Sequence, residues 1–324
     1  MAGGGRSAVI VLTMLLSTSL LSSTGVASQD EEPLWRGVGL DPSLWTDRPE
    51  FEDSPMMESY SGNAVFEISV NYRETHFSSR VEGVIVIELF EQWAPITTAN
   101  MIEHIEEGLY DGIFFHRVID DFVTQSGDPE CKAIVAYPAT SPQCGSGGTG
   151  ETIPLEHDEN LSHVDGAIGM ARSADPDSAD SQWYIAETEA HNLDPENRED
   201  EGYATFGIVR DGMAHIRAIA RTPTTDDLTG LEEIHNPASS AGRPVYQAQI
   251  SSVKMIGVAD PDGSIRFGDV VSSSDESNLL ESTVFQISVI LLLVVAVTTY
   301  VARIEKPQRL HMDFILDAEE IEGG

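Results

Sequence analysis

Cys131 and Cys144 are the only two cysteines of the chain. They are too few for a four-thiolate zinc site or a disulfide scaffold, and enough for one bond. Directly after them, Gly145, Gly147 and Gly150 have the spacing of a dinucleotide-binding turn. That turn works where it leaves a strand and opens a helix onto a pyrophosphate; here it follows a cysteine-bounded loop and opens no helix. Cys144-Gly145-Ser146-Gly147-Gly148 also has the form of a serine nucleophile loop, but no His and Asp blocks accompany it to complete a triad. His157 and His163 offer imidazoles to a metal and read more simply as solvated loop histidines. Asp175, Asp177 and Asp180 offer carboxylates to calcium, yet lack the twelve-residue calcium pattern and read as a polar turn. No metal and no cofactor is expected. Asn160-Leu161-Ser162 is a glycosylation sequon should the chain be exported.

The 324 residues include 18 Lys plus Arg against 54 Asp plus Glu, a formal charge of −36. Phosphate affinity needs a cationic face, so a general nucleic-acid binder is excluded. Hydrophobic residues make up 41%, enough to build a core, so the acid excess is a property of the surface. Two readings stand: a saline setting, where salt screens the self-repulsion, and an acidic linker that solubilises a tethered enzyme. After Arg6, the apolar run from Ala8 to Leu21 relaxes into Gly25-Val26-Ala27-Ser28, the pattern of a secretory signal over residues 1–28. An uncleaved anchor helix is the alternative. Between Glu281 and Arg303, 21 consecutive residues carry no charge. That length spans a bilayer, and a single transmembrane helix is expected over residues 284–302. Arg303, Lys306 and Arg309 follow at once, which marks residues 303–324 as a cytoplasmic tail. The expected placement is therefore a cell membrane, single-pass and in contact with lipid, with the bulk of the chain outside the cytoplasm.

Residues 29–62 hold nine acids and no sustained period, and read as an extended acidic spacer. Trp35 and Trp45 within it either dock on the domain or stand exposed. From Ala64 the pattern becomes strand-like, with alternating runs at Val65–Val70 and Val84–Phe90. Pro95 stands where a first helical turn starts, and Ile102, Ile105 and Leu109 recur at helical spacing, predicting a helix over about 95–107 that ends at Gly108. Further strands are expected near 113–118, 121–126, 166–171, 183–186, 204–209 and 246–256, with a second helix near 212–220. Many short strands and two helices predict a mostly β domain over residues 63–258, a closed antiparallel barrel. Residues 259–283 read as a stalk.

Phe114-Phe115-His116-Arg117-Val118-Ile119-Asp120-Asp121-Phe122-Val123-Thr124-Gln125-Ser126-Gly127-Asp128-Pro129 resembles the cyclophilin signature. Gly145 to Gly150 with Ile153-Pro154-Leu155-Glu156, then Gly169-Met170-Ala171-Arg172, Asp180-Ser181-Gln182-Trp183-Tyr184-Ile185, Leu193-Asp194 and Tyr203-Ala204-Thr205-Phe206-Gly207 follow in family order. The spacing is most similar to the bacterial, periplasmic type. The resemblance covers about residues 63–258. It implies an eight-stranded barrel capped by a helix at each end, peptidyl-prolyl cis/trans isomerase activity without a cofactor, and proline-containing polypeptides as substrates.

Peptide resonance sets a rotation barrier of about 18–20 kcal/mol. At proline the two isomers lie within about 1 kcal/mol, so rate and not equilibrium limits folding. A catalyst must favour the twisted amide, whose nitrogen has regained its lone pair. The resemblance assigns that task to Arg117, donating more strongly to the twisted than to either planar state. It assigns the proline pocket to Phe122, Val123, Tyr184 and Leu193, orientation of the arginine and substrate backbone to Gln125, and the strand beside the substrate to Ala171. Tyr203 stands where many eukaryotic members have histidine.

Val123 replaces the usual methionine, Asp120-Asp121 the common Pro-Gly turn, and Ser126 a glycine. Asn192 stands where many members have Trp or Phe, a position that helps bind cyclosporin in sensitive members. The largest departure is the insertion Pro129–Cys144, bracketed by the two cysteines, which in an exported protein read as a disulfide. Two function classes stand: an isomerase assisting the folding of exported proteins, and a catalytically weak proline-peptide binding module or holdase. Arg117, Phe122 and Gln125 together favour the enzyme.

Overall fold

The computed structural model describes residues 32–265 apart from 76, 135, 138–140 and 226–241. The expected signal over 1–28, the stalk beyond residue 265, the span over 284–302 and the tail over 303–324 lie outside the described residues. Among those described, no helix is long and apolar enough to cross a membrane.

The strands are β1 (Gly39–Leu40), β2 (Ala64–Tyr72), β3 (Val81–Leu89), β4 (Arg117–Ile119), β5 (Val123–Ser126), β6 (Ala167–Met170), β7 (Trp183–Ala186), β8 (Thr205–Asp211), β9 (Thr224–Thr225), β10 (Arg243–Pro244) and β11 (Gln249–Ala259). Nine of them form one sheet in the order β1-β11-β2-β3-β8-β6-β7-β5-β4, and β9 pairs with β10 separately. Helix α1 spans Pro95–Glu106 and α2 spans Met213–Ala220. Pro95 opens α1 as expected, and the carboxylate of Glu156 takes the place of a side-chain cap, accepting from the amides of Ile96 and Thr97 at 3.1 and 2.9 Å. An acid at that end also complements the helix dipole. Gly108, at φ 70°, lets the chain leave the helix in the left-handed region that other residues resist.

Two expectations need correction. The barrel is not closed and not wholly antiparallel. The run expected as a strand over 113–118 is a strand only from Arg117, and the residues before it reach β11 by separate bonds, Phe115 N to Ala248 O at 2.9 Å and Ile250 N to Ile113 O at 2.8 Å. The outer edge of β4 is taken by the Gly242 carbonyl, which accepts from Val118 N at 2.7 Å. A loop therefore lies where a closing strand would pair. The ninth strand comes from the expected spacer, since β1 adds to β11 in parallel. Over its described part that segment is no free tether. Trp35 packs on the core and donates to Glu106 at 2.8 Å, Trp45 packs against the cluster of Val65, Val86 and Ala259, and Arg36 pairs with Glu91. Buried Glu88 binds the same segment, accepting from Ser59 Oγ, Tyr60 N, Asn63 Nδ2 and Arg210 Nε at 2.8–3.0 Å.

Alternation along the strands separates two apolar clusters. Phe66, Ile68, Ile85, Ile87, Phe115, Ile168, Trp183, Ile185 and Phe206 fill the inside, where Met101 and Ile105 of α1 and Ile216 and Ile219 of α2 cover them. Val123, Ala167, Tyr184 and Ala186, one residue out of phase, form a second cluster on the other face, which Ile208 joins across the register shift between β6 and β8. Side chains of a strand alternate between faces, so the outer cluster is a built feature of β5, β6, β7 and β8.

Candidate active site

Register places the site. Arg117 of β4 is opposite Gln125 of β5, Gln125 is opposite Tyr184 of β7, and Tyr184 is opposite Gly169 of β6. Directly paired residues point to the same face, so one row across four strands carries an arginine, a glutamine, a tyrosine and a gap. The gap is needed. A Cβ at Gly169 would come within 2.4 Å of the Tyr184 ring and hydroxyl, so glycine there lets the ring lie across β6. Two residues along, Ile119, Val123 and Ala186 form the next row.

All the residues expected in the proline pocket meet in the outer cluster. Val123, Tyr184 and Leu193 are buried in it, with Phe122, Ala171 and Tyr203 half-buried at its margin. Ala171 N donates to Gln182 O at 2.9 Å. Tyr203 stands edge-on to Tyr184, with ring centres 6.1 Å apart, and lies under the guanidinium groups of Arg172 and Arg198 at 4.7 and 5.2 Å. Asn192 is exposed beside Leu193.

Arg117 is half-buried, and its Nη1 donates to Gln125 Oε1 at 3.3 Å. Gln125 Nε2 donates to Gln182 Oε1 at 2.9 Å, and Gln182 Nε2 to Gly147 O at 2.9 Å. Burial draws the Arg117 pKa below its ordinary value while the nearby Tyr203 acts the other way, but a guanidinium stays charged at any physiological pH. Its neighbour His116 is brought down to about 4 by burial, with Asp128 opposing and Arg117 and Arg243 reinforcing. At neutral pH it therefore adds no second charge, and Arg117 is the cation of the row.

The insertion is stapled as expected by a disulfide between Cys131 and Cys144, their Cα atoms 4.6 Å apart. The staple returns the chain so that Gly145 N and Gly147 N donate to Asp128 Oδ2 at 2.7 and 2.9 Å. The glycine run thus binds a carboxylate of its own chain, and Gly147 hands the connection on to Gln182, Gln125 and Arg117. The other motif residues are likewise occupied internally. Asp175 caps the Asp177 amide, Asp177 accepts from Leu155 N, Asp180 accepts from Thr149 N, and Ser146 Oγ donates to Gln143 O. His157 bonds to Glu201 O at 2.7 Å. His163, expected in solvent, is instead fully buried between Asp194 and Tyr184. A lone His in a polar stretch carries no sign of burial, and only the pairing of strands far apart in sequence reveals it.

An arginine beside an apolar patch on one face of a curled sheet suits an extended polypeptide with a small apolar residue, and defines a class of peptide-acting site. Residues 74–255 match the family described as cyclophilin type peptidyl-prolyl cis-trans isomerase/CLD. A peptidyl-prolyl cis-trans isomerase of Acinetobacter baylyi is 35% identical over 143 residues, 44% of this chain and 70% of that one. The isomerase cyp18 of Streptomyces antibioticus is 32% identical over 177 residues, 54% and 94% of the two chains. Among solved structures, a cyclophilin type isomerase of Cryptosporidium parvum in the presence of the dipeptide Ala-Pro is similar at 21% identity and a TM-score of 0.42, covering 58% and 98%. The chain belongs to the cyclophilin-type family and is a peptidyl-prolyl cis-trans isomerase.

Proposed function

We propose that this isomerase acts on X-Pro bonds of exported polypeptides at the outer face of a membrane, with Arg117 as its catalytic residue. The observation that carries the site reading is the row Arg117–Gln125–Tyr184–Gly169, with the apolar cluster of Phe122, Val123, Tyr184 and Leu193 beside it. The proline ring enters the cluster, and Ala171 and Gln125 hold the flanking backbone. As the amide twists, its nitrogen becomes an acceptor and Arg117 donates to it. The planar ground states lack that acceptor, so the interaction lowers the barrier and does not merely tighten binding. Isomerisation of a short X-Pro peptide, compared between the wild-type protein and Arg117→Ala, tests the assignment. Folded protein that binds the peptide without turnover would favour the binding-module reading.

The membrane placement is supported by the uncharged run 282–302 and the basic residues that follow it. Partition of the full-length protein into the membrane fraction after carbonate extraction, with the isomerase domain accessible to protease from the outer side, is the expected result. Release by carbonate would overturn it.

A further inference from the structure

The outer cluster is not made by the barrel alone. Met56, from the N-terminal segment, is fully buried within it, and its Sδ accepts from Ser162 N at 3.3 Å. Pro49 rests on Gly166, where a Cβ would meet Pro49 Cγ at 2.4 Å. Glu50 N donates to Asp165 Oδ2 at 2.5 Å, and Asp165 N donates to Glu52 Oε1 at 2.8 Å. Residues 49–57 thus lie along the loop that leads into β6, the strand under Tyr184.

From Glu52 a chain of bonds runs inward. Glu52 Oε2 is 3.0 Å from His191 Nε2, and His191 Nδ1 is 2.9 Å from Asp194 Oδ2. Asp194 Oδ1 is 2.6 Å from His163 Nδ1, and His163 Nε2 is 2.7 Å from the Tyr184 hydroxyl. Proton positions follow from donor counting. The Asp194 carboxylate takes the Nδ1–H of His163, so Nε2 is an acceptor and Tyr184 donates to it. Both nitrogens of His191 face carboxylates, which the imidazolium satisfies with its two donors. The His163 and Tyr184 rings are nearly parallel, 12° apart, and Gly169 lies against the Tyr184 ring, where a Cβ would come within 2.4 Å of it.

We propose that the N-terminal segment 49–57 clasps the proline pocket, and that Glu52 and His163 are positioning residues that hold the Tyr184 ring in the pocket wall. The inference rests on the reading of Tyr184 as part of that wall. Burial acts in the same direction, holding His163 below its ordinary pKa and hence as the neutral acceptor that the Tyr184 hydroxyl requires.

A double-mutant cycle in the full-length protein tests it, with Glu52→Ala and Tyr184→Phe made singly and together. Losing one net hydrogen bond of the chain predicts a rise of about fivefold in KM for an X-Pro peptide in Glu52→Ala, with kcat within about twofold. In the Tyr184→Phe background, where the chain has no end to hold, Glu52→Ala adds less than about twofold. An equal factor in both backgrounds, or no effect in the wild-type background, would overturn the proposal. Thermal melts of the four proteins separate lost folded fraction from altered KM. The ¹⁵N shift of His163 Nε2 must move in Tyr184→Phe and reads the chain without turnover. A wild-type protein that fails to bind X-Pro peptide would strike at the pocket reading instead.

Discussion

Arg117→Ala removes the one cation of the row while leaving the apolar cluster intact. A preorganised donor aimed at charge that develops in a transition state contributes about 10²–10³ in rate, or about 2.7–4 kcal/mol. Two structural features set the expectation within that range. Arg117 is half-buried, so water can enter the vacated place and donate in its stead, which favours the lower end. Its geometry, however, is fixed through Gln125, Gln182 and Gly147, and water has no such anchoring. The expected fall in kcat/KM is about 100-fold, carried by kcat, because ground-state binding rests on the cluster. Arg117→Lys keeps the charge but loses the planar fork and should fall between the two. Gln125→Ala keeps the guanidinium but removes the Oε1 acceptor that orients it, for a loss of about tenfold, the equivalent of about 1.4 kcal/mol. Exchange spectroscopy on an X-Pro peptide measures these rates directly. An Arg117→Ala protein within about threefold of wild-type kcat/KM, against a steep loss in Phe122→Ala, would refute the transition-state role.

Glu187 gives a pH prediction. Burial raises its pKa to about 7, with Asp120 and Asp121 adding to the rise and the Asp121 amide opposing it. An acid that ionises near 4.5 when unfolded but near 7 when folded loses stability as pH climbs between those values and no more above them. Glu187→Gln should therefore stabilise the protein by about 1–3 kcal/mol at pH 8 and be nearly neutral at pH 4, as read by urea unfolding; an equal effect at both would count against it. Reduction of Cys131–Cys144 should cost about 3 kcal/mol by loop entropy and lower kcat by loosening Gly147 under Gln182; kcat unchanged on reduction would separate the loop from Arg117. Added salt should raise the melting temperature by screening the −36 surface, and a flat response would remove charge repulsion as a factor. Exposed Asn192, standing where an aromatic residue supports cyclosporin in sensitive members, predicts weak inhibition, which submicromolar inhibition would contradict.

Local pattern made the longer strands and both helices legible in the sequence, and the family resemblance supplied the residues of the site row. The alternation at Val65–Val70 and the proline start at Pro95 are consequences of backbone geometry within a few residues, whereas the register in which Arg117, Gln125 and Tyr184 meet comes from the pairing of β4, β5 and β7. What sequence left hidden was settled by partners distant along the chain. Residues 29–62 read as a spacer because their composition is acidic and aperiodic. Two residues at Gly39–Leu40 are enough to add a parallel strand when β11 offers a free edge, and such a short pairing leaves no periodic trace. The same applies to closure, since a barrel expectation counts strands but cannot see that the Gly242 carbonyl occupies the edge of β4.

His163 shows why such omissions gather near the site. Its sequence neighbourhood is polar, and a histidine there belongs in water unless something deep can satisfy both nitrogens. Asp194 lies 31 residues away and Tyr184 lies 21 away, each within 2.7 Å of a ring nitrogen. Burying imidazole without partners costs free energy, so these two short bonds, with Thr205 Oγ1 at 3.3 Å from each ring nitrogen, let His163 lie inside. The hydroxyl of Tyr184 and the buried imidazole of His163 therefore have to be read together. In Tyr184→Phe, Nε2 loses its short 2.7 Å donor and keeps only the longer contact of Thr205 Oγ1 at 3.3 Å, and the protein should be less stable by about 1–3 kcal/mol although phenylalanine is the more apolar residue. His163→Leu combined with Tyr184→Phe, which removes both polar atoms, should recover part of that loss in urea unfolding. A double variant no more stable than Tyr184→Phe alone would show that the bond is incidental to the packing.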